Sequence, residues 1–231
     1  MRKTFADKAI KLFKNLTFEG HLPEGYKVIN TYTENPETLE IIEKFYQKFY
    51  GDFNTRKFII GINPGRHGAG VTGVPFTDTK RLESKCGIST EFPATHGLSS
   101  VFIYDMIEAY GGVQSFYESF YFTSPFPLAI VRINKNRNWV NANYYDTVAL
   151  YNATKDYMIQ SLKVTIKLGI ASSEVIILGK KNAKFIEKLN QEAQIFSNLI
   201  VLEHPRYIQQ YRLREKELFI DKYMKALNQI S

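Results

Sequence analysis

The sequence predicts an α/β protein of three layers, α/β/α, around a central four-stranded, mainly parallel sheet. Three observations carry that reading. Four short apolar runs, at 57–62, 119–123, 175–178 and 199–202, have the length and β-branched or aromatic content of strands. Segments with helical spacing of apolar residues separate them, long enough to cross back over a sheet. The runs are apolar throughout instead of alternating, as strands covered on both faces must be.

Each element follows from its residues. Phe5, Ile10, Leu12, Phe13 and Leu16 give a helix over 5–16, and Leu39, Ile41, Ile42, Phe45, Tyr46, Phe49 and Tyr50 give another over 37–50. The stretch 23–36, bracketed by Pro23 and Pro36, reads as a loop. A helix over 98–110 is stopped by Gly111-Gly112, and the strand at 119–123 by Pro125 and Pro127. The long helix 146–168 ends at Gly169; helices at 182–192 and 212–230 flank the last strand. No repeat, linker or internal boundary interrupts the alternation, so residues 1–231 read as one domain.

Composition bounds the function. With 44% hydrophobic and 14% aromatic residues the chain can bury a sizeable core and is not a disordered tract. The single cysteine, Cys86, excludes a disulfide framework, a four-cysteine zinc site and a four-cysteine iron–sulfur cluster, and fits a reducing compartment; neither metal nor cofactor is expected. No apolar run reaches 18 residues and Met1-Arg2-Lys3-Thr4-Phe5 lacks an apolar signal core, which predicts a soluble cytoplasmic protein. A net charge of +7 permits a polyanionic partner.

The breakers follow the strands: Asn63-Pro64-Gly65, Ser124-Pro125-Phe126-Pro127, Gly179-Lys180-Lys181 and His204-Pro205-Arg206. Ligands of open parallel sheets bind where loops leave the carboxyl ends, so these four segments are expected to converge on one cleft. Two phosphate-loop readings fail there. Gly65 is followed at the fifth position by Gly70, Val71 and Thr72 with no lysine, and no G-x-G-x-x-G lies in register. The glycine-rich backbone is left to cradle another anion or a carbonyl oxygen.

Gly61-Ile62-Asn63-Pro64-Gly65 followed by Thr72-Gly73-Val74-Pro75-Phe76 resembles motif I of the uracil-DNA glycosylase superfamily, in its single-strand-selective monofunctional branch, which reads G-M-N-P-G and then T-G-V-P-F at the same spacing. His204-Pro205 resembles the start of that family's motif II, H-P-S-P-R. Phe126-Pro127-Leu128 is similar to its N-x-C-P-L segment, and Lys135-Asn136-Arg137-Asn138 to the S-G-R-N that follows. The resemblance covers the core of the chain; 1–50 and 210–231 carry no matching motif.

The resemblance implies a glycosylase with roles for particular residues. The target base leaves the stack for a pocket, where Phe76 is the candidate aromatic floor, or else an ordinary core phenylalanine. Cleavage of the glycosidic bond leaves an oxocarbenium-like sugar and negative charge on the base. Asn63 would orient the attacking water, its competing reading being a turn-forming asparagine. His204 would donate to the base carbonyl as charge builds, against the bland reading of a satisfied strand-end histidine. Gly65 would leave room beside the 5-position of the base, and the N–H groups of Ile62 and Gly65 would serve as main-chain donors. His67 and His96 are expected to be solvated and Cys86 inert.

Two departures are visible. Ser124 stands where the family has the asparagine that reads the uracil amide edge, so base selectivity is open. Arg206-Tyr207-Ile208 replaces S-P-R, making Arg206 or Tyr207 the candidate wedge for the vacated stack. Lys180 and Lys181 at a helix start, and Lys135 and Arg137 near Trp139, are candidate phosphate contacts, or else solvated faces. The function expected is a monomeric, monofunctional DNA glycosylase that excises uracil, or a related deaminated base, from single- or double-stranded DNA in base excision repair. A family member that binds DNA without cleaving, and a small-molecule nucleotide or ester hydrolase, are the alternatives; the absence of G-x-S-x-G counts against the last.

Overall fold

Apolar runs and caps fold as read, within one or two residues at most ends. A computed structural model describes residues 2–230. The helices are α1 (Phe5–Lys14), α2 (Thr31–Glu34), α3 (Pro36–Tyr50), α4 (Ala69–Thr72), α5 (Thr79–Ser84), α6 (Leu98–Tyr110), α7 (Gly112–Ser119), α8 (Val148–Ile166), α9 (Lys180–Ala193), α10 (Pro205–Tyr211) and α11 (Lys216–Gln229). The strands are β1 (Tyr26–Ile29), β2 (Arg56–Ile60), β3 (Phe120–Thr123), β4 (Ala129–Ile133), β5 (Trp139–Ala142), β6 (Ile170–Leu178) and β7 (Asn198–Leu202). Helices cover a four-stranded sheet of order β3-β2-β6-β7, in which every pairing is parallel.

The predicted central sheet is therefore present, and its strands are as buried as their apolar runs require: Phe58, Ile59 and Ile60 are at most 1% exposed, and Val175 to Leu178 likewise. Each such side chain contributes roughly 1.5–3 kcal/mol by leaving water. Because β2 pairs with β3 on one side and β6 on the other, the chain reverses its direction of winding at β2, the position where open α/β sheets form clefts.

Four expectations need correction. The stretch 23–36 is not all loop: β1 and α2 lie in it, and β1, β4 and β5 form a second, antiparallel sheet. Polar residues at 132–138 mask the β4–β5 hairpin in the sequence. Strand β6 begins at Ile170, not 175, because the polar Ser172-Ser173 belongs to a bulge where the register on β2 jumps from Lys57↔Ala171 to Phe58↔Val175. Gly111, in the left-handed region at φ 115°, ends α6 as expected, but Gly112 starts α7 rather than a loop. The stretch 212–230 begins with a 3-10 turn at Leu213–Glu215, and Pro205, suited to a first turn, starts the separate α10.

Arg56, fully buried at the head of β2, ties that strand to α1, α3 and α7. It donates to Tyr117 O (3.1 Å), Asn54 O (3.0 Å), Phe49 O (3.4 Å) and both carboxylate oxygens of Asp52, and its guanidinium lies 4.8 Å from the ring centres of both Phe5 and Tyr50. Arg56→Met keeps an apolar stem but leaves the buried Tyr117 and Phe49 carbonyls without a donor while the part-exposed Asp52 rehydrates, so it should lower unfolding free energy by about 2–4 kcal/mol. Urea denaturation checks this; a loss under about 1 kcal/mol would show that water replaces the guanidinium.

Candidate active site

At the carboxyl end of the parallel sheet a cavity of about 500 Å³ opens between the segments that leave β2, β3 and β7. Gly61, the first residue past β2, donates to Thr123 O at 2.8 Å, which holds β2 and β3 together to the cavity edge. A side chain at Gly61 would meet Phe76 Cζ at 2.8 Å, so only glycine lets that ring lie against the strand end. Phe76 itself sits at φ 55°, in the left-handed region that costs a non-glycine residue roughly 1–3 kcal/mol. Its ring centre is 5.1 Å from Phe122 and 6.2 Å from His204, and it lines the cavity, as a floor must.

The loop that carries Phe76 is anchored by the motif-free N-terminal region. Tyr32 of α2 donates its hydroxyl proton to Gly73 O (2.9 Å), and Thr38 of α3 donates to Val71 O (2.9 Å). Gly73, at φ 73°, packs so closely on Thr38 and Tyr32 that a Cβ would lie 2.7 and 2.8 Å from them. Within the loop, Thr72 donates to Thr77 O at 2.7 Å.

Asn63 also lines the cavity, and its carboxamide is held by the last residue of β5 and the segment that follows it. Nδ2 donates to Ala142 O (2.9 Å) and to Pro64 O (3.3 Å); Oδ1 accepts the Tyr144 N–H (3.0 Å). Both amide protons are thus committed, and one lone pair of Oδ1 remains. Among the described residues the N–H groups of Ile62 and Gly65 have no protein acceptor.

His204 is the N-cap of α10. Its Nδ1 accepts the Arg206 N–H at 3.1 Å, so the neutral ring carries its proton on Nε2. Burial, and secondarily the Arg206 charge, push its pKa down from 6.5 to about 4. Gly179, at φ 100°, allows the exit of β6 to pack on the histidine; a Cβ there would lie 3.3 Å from His204 Cβ.

The remaining predicted residues divide. Ser124 lines the cavity but donates its proton to Phe126 O (2.8 Å), leaving only lone pairs to offer. A Cβ at Gly65 would meet Asn141 Nδ2 at 3.0 Å, so the space this glycine leaves is taken by the Asn141 carboxamide, whose Oδ1 accepts the Arg66 N–H at 3.0 Å. Arg206 lines the cavity; Tyr207, 43% exposed, stands outside it with its ring 5.7 Å from Tyr211.

The third breaker segment does not reach the cavity. Lys180 is paired with Glu203 at 3.4 Å and Lys181 lies 4.7 Å from the Tyr145 ring centre. Lys135 and Arg137 occupy the β4–β5 turn, held by Asn134 Oδ1 accepting from the Asn136 and Asn138 N–H groups (both 2.9 Å). That turn is at the end of the hairpin opposite Asn141 and Ala142, which line the cavity.

Sequence reasoning missed two features here. His67 and His96 are exposed, as expected of solvated side chains, but both line the cavity mouth, which no motif marked, and His96 Nδ1 accepts from the Arg81 guanidinium at 2.8 Å. Asn141 carried no signal beyond membership of an asparagine-rich stretch. Cys86 is buried with its thiol pushed up to about 11 by burial, which suits the inert role expected of it.

Residues 48–228 match the family described as the uracil DNA glycosylase superfamily. The chain belongs to that superfamily. The crystal structure of wild-type SMUG2 from Pedobacter heparinus is similar to it with a TM-score of 0.95 and 44% identity, over 99% of this chain and 100% of that one. Among curated proteins none matches. The membership makes this superfamily protein a DNA glycosylase in type, on the fold its sequence predicts.

The depressed basicity of His204 has a measurable sign. Between pH 6.5 and 4 the unfolded chain takes up a proton at this histidine that the folded chain refuses, so stability at this site falls as pH drops through that window. An NMR titration of the His204 ring should give an apparent pKa near 4, with no transition near 6.5.

Proposed function

We propose that this protein extrudes uracil, or a related deaminated base, from DNA into the cavity and hydrolyses its N-glycosidic bond by direct attack of water. The observation that carries the reading is the complementary state of Asn63 and His204 on one cavity. Asn63 has spent both amide protons and keeps an acceptor lone pair; neutral His204 keeps an Nε2–H donor. The superfamily membership and the 44% identity to SMUG2 support it.

The chemistry follows from those two atoms. A water donating one proton to Asn63 Oδ1 is oriented toward the anomeric carbon as the carbon–nitrogen bond breaks and that carbon becomes cation-like; once its oxygen has bonded there, its surplus proton passes through solvent to the departing base anion. The departing base accumulates negative charge on its carbonyl oxygens, and the His204 Nε2–H meets that charge; one such donor is worth about 10²–10³ in rate. Phe76 stacks under the base, adding roughly 1–3 kcal/mol against the cost of flipping. The Ile62 and Gly65 N–H groups address carbonyl oxygens of the base, and a Ser124 lone pair accepts a ring N–H. A serine so committed reads one edge atom where an amide reads two, so discrimination among deaminated bases is broader than an asparagine would enforce.

The protein acts as a monomer on DNA, in base excision repair. Arg206 is the cation nearest the extruded nucleotide, with Lys180, Lys181, Lys135 and Arg137 as outlying phosphate contacts and Tyr207 beside the mouth as a wedge.

The deciding experiment incubates the protein with oligonucleotides carrying uracil, hypoxanthine or xanthine, single-stranded and duplex, and scores alkali-labile abasic sites. Product with at least one substrate is expected; none with any would overturn the reading. Asn63→Ala should slow single-turnover excision on the order of a hundredfold with DNA affinity within about twofold; equal rates would remove Asn63 from the mechanism. Arg206→Ala should instead weaken binding and lower the salt slope of log K by about one, as measured by fluorescence anisotropy across a salt series.

A further inference from the structure

We propose that Asn182 and Tyr144, neither of which lines the cavity, are positioning residues that fix the Asn63 carboxamide for the hydrolytic step. This rests on the function proposed above. Asn182 lies in the first turn of α9 and Tyr144 in the segment between β5 and α8; both are completely buried. Asn182 Nδ2 donates to Gly61 O at 3.0 Å and to Leu178 O at 3.3 Å, while its Oδ1 accepts the Tyr144 hydroxyl proton at 2.7 Å. One side chain therefore joins the end of β2, the end of β6 and the 142–144 segment.

Those are the supports of Asn63. Gly61 is two residues before it on the chain, and the 142–144 segment holds its carboxamide at both ends, through Ala142 O and the Tyr144 N–H. Asn182 binds the covalent support through the Gly61 carbonyl and the non-covalent support through Tyr144. Without it the two could shift relative to each other, and the lone pair of Oδ1 would no longer be fixed with respect to the strand end. Reaction rates are sensitive to such shifts: a displacement of about 1 Å can cost on the order of a hundredfold. A fully satisfied polar network in a site where apolar packing would serve stability equally well is the expected form of a device for geometry.

A residue serving only stability would lower the melting temperature and leave the chemical step intact. Tyr144→Phe is the cleanest probe, since the ring keeps its packing on Tyr145 (4.9 Å) and Phe185 (6.2 Å) and loses only the hydroxyl. At saturating enzyme, Tyr144→Phe and Asn182→Ala should each reduce single-turnover excision about tenfold, with affinity for the same oligonucleotide within twofold of wild type. In an Asn63→Ala background the same changes should have less than a twofold effect, because the group they position is gone.

Wild-type rates in folded Tyr144→Phe, or a full tenfold loss persisting in the Asn63→Ala background, would overturn the proposal. Hydrogen exchange of the Asn63 side-chain amide, followed by NMR without substrate, decides it separately from activity. Faster exchange in Asn182→Ala than in wild type supports the clamp, and unchanged exchange overturns it. Should wild-type protein release no base, the proposed function fails while this exchange measurement still judges the clamp.

Discussion

The in-register ends of four parallel strands are the constraint on which the site depends. Ile60 pairs with both Thr123 and Ile177, and Leu178 with Leu202, so the chain leaves β2, β3, β6 and β7 at one level. Strands in a sheet lie about 4.8 Å apart, and β6 stands between β2 and β7. The loops bearing Asn63 and His204 therefore start about 10 Å apart, a gap on the scale of one flat heterocycle and set by backbone hydrogen bonding before any side chain is chosen. Arg56, at the other end of β2, holds that strand in place through carbonyls of two adjacent helices, α3 and α7.

Filling that gap makes demands that conflict with easy folding, and the sequence meets them locally. The Phe76 ring lies against a strand end because Gly61 has no Cβ to block it, and Phe76 accepts an unfavourable backbone conformation. A lone strained residue would relax. It does not because Tyr32 and Thr38 hold the carbonyls of Gly73 and Val71, so the first fifty residues, which carry no motif, serve as the abutment of the pocket. The same logic explains Gly65: its missing side chain lets Asn141 close over the turn and fix it through the Arg66 N–H.

This division explains what could be read from the sequence. The central strands were legible because burial on both faces leaves an uninterrupted apolar run, and Asn63, Phe76 and His204 because a motif and its spacing mark them. The antiparallel sheet was not, since Arg132, Asn134 and Lys135 interrupt the only apolar signal that β4 and β5 give, and their pairing is non-local. Asn182 was invisible for a deeper reason. Its position within a helix offers no periodicity to violate, and its partners, Gly61 O and the Tyr144 hydroxyl, are 121 and 38 residues away. The lysines at 180 and 181 were legible as charge but not as location: Glu203 and Tyr145 engage them outside the cavity.

The charges that attract a polyanion and the groups that would break the bond are kept apart, and burial is the reason. Apart from Arg56, paired with Asp52, and Asp78, paired with Arg81, the charged side chains behind the net charge of +7 lie exposed or half-buried, where ionised groups stay hydrated. The two groups we propose to act on the scissile bond are an amide and an imidazole that burial and a neighbouring arginine keep neutral. An ionised pair in their place would incur desolvation of both charges and would be drawn to each other or to the nearest phosphate. Neutral groups with fixed polarity avoid this: in the proposed mechanism an acceptor would face the side of the bond that becomes positive, and a donor the side that becomes negative. Their usefulness then rests on orientation rather than on charge. That is why so much of the surrounding chain, from the N–H of Arg206 at the ring of His204 to the carbonyl of Ala142 at Asn63, is spent on holding two small side chains still.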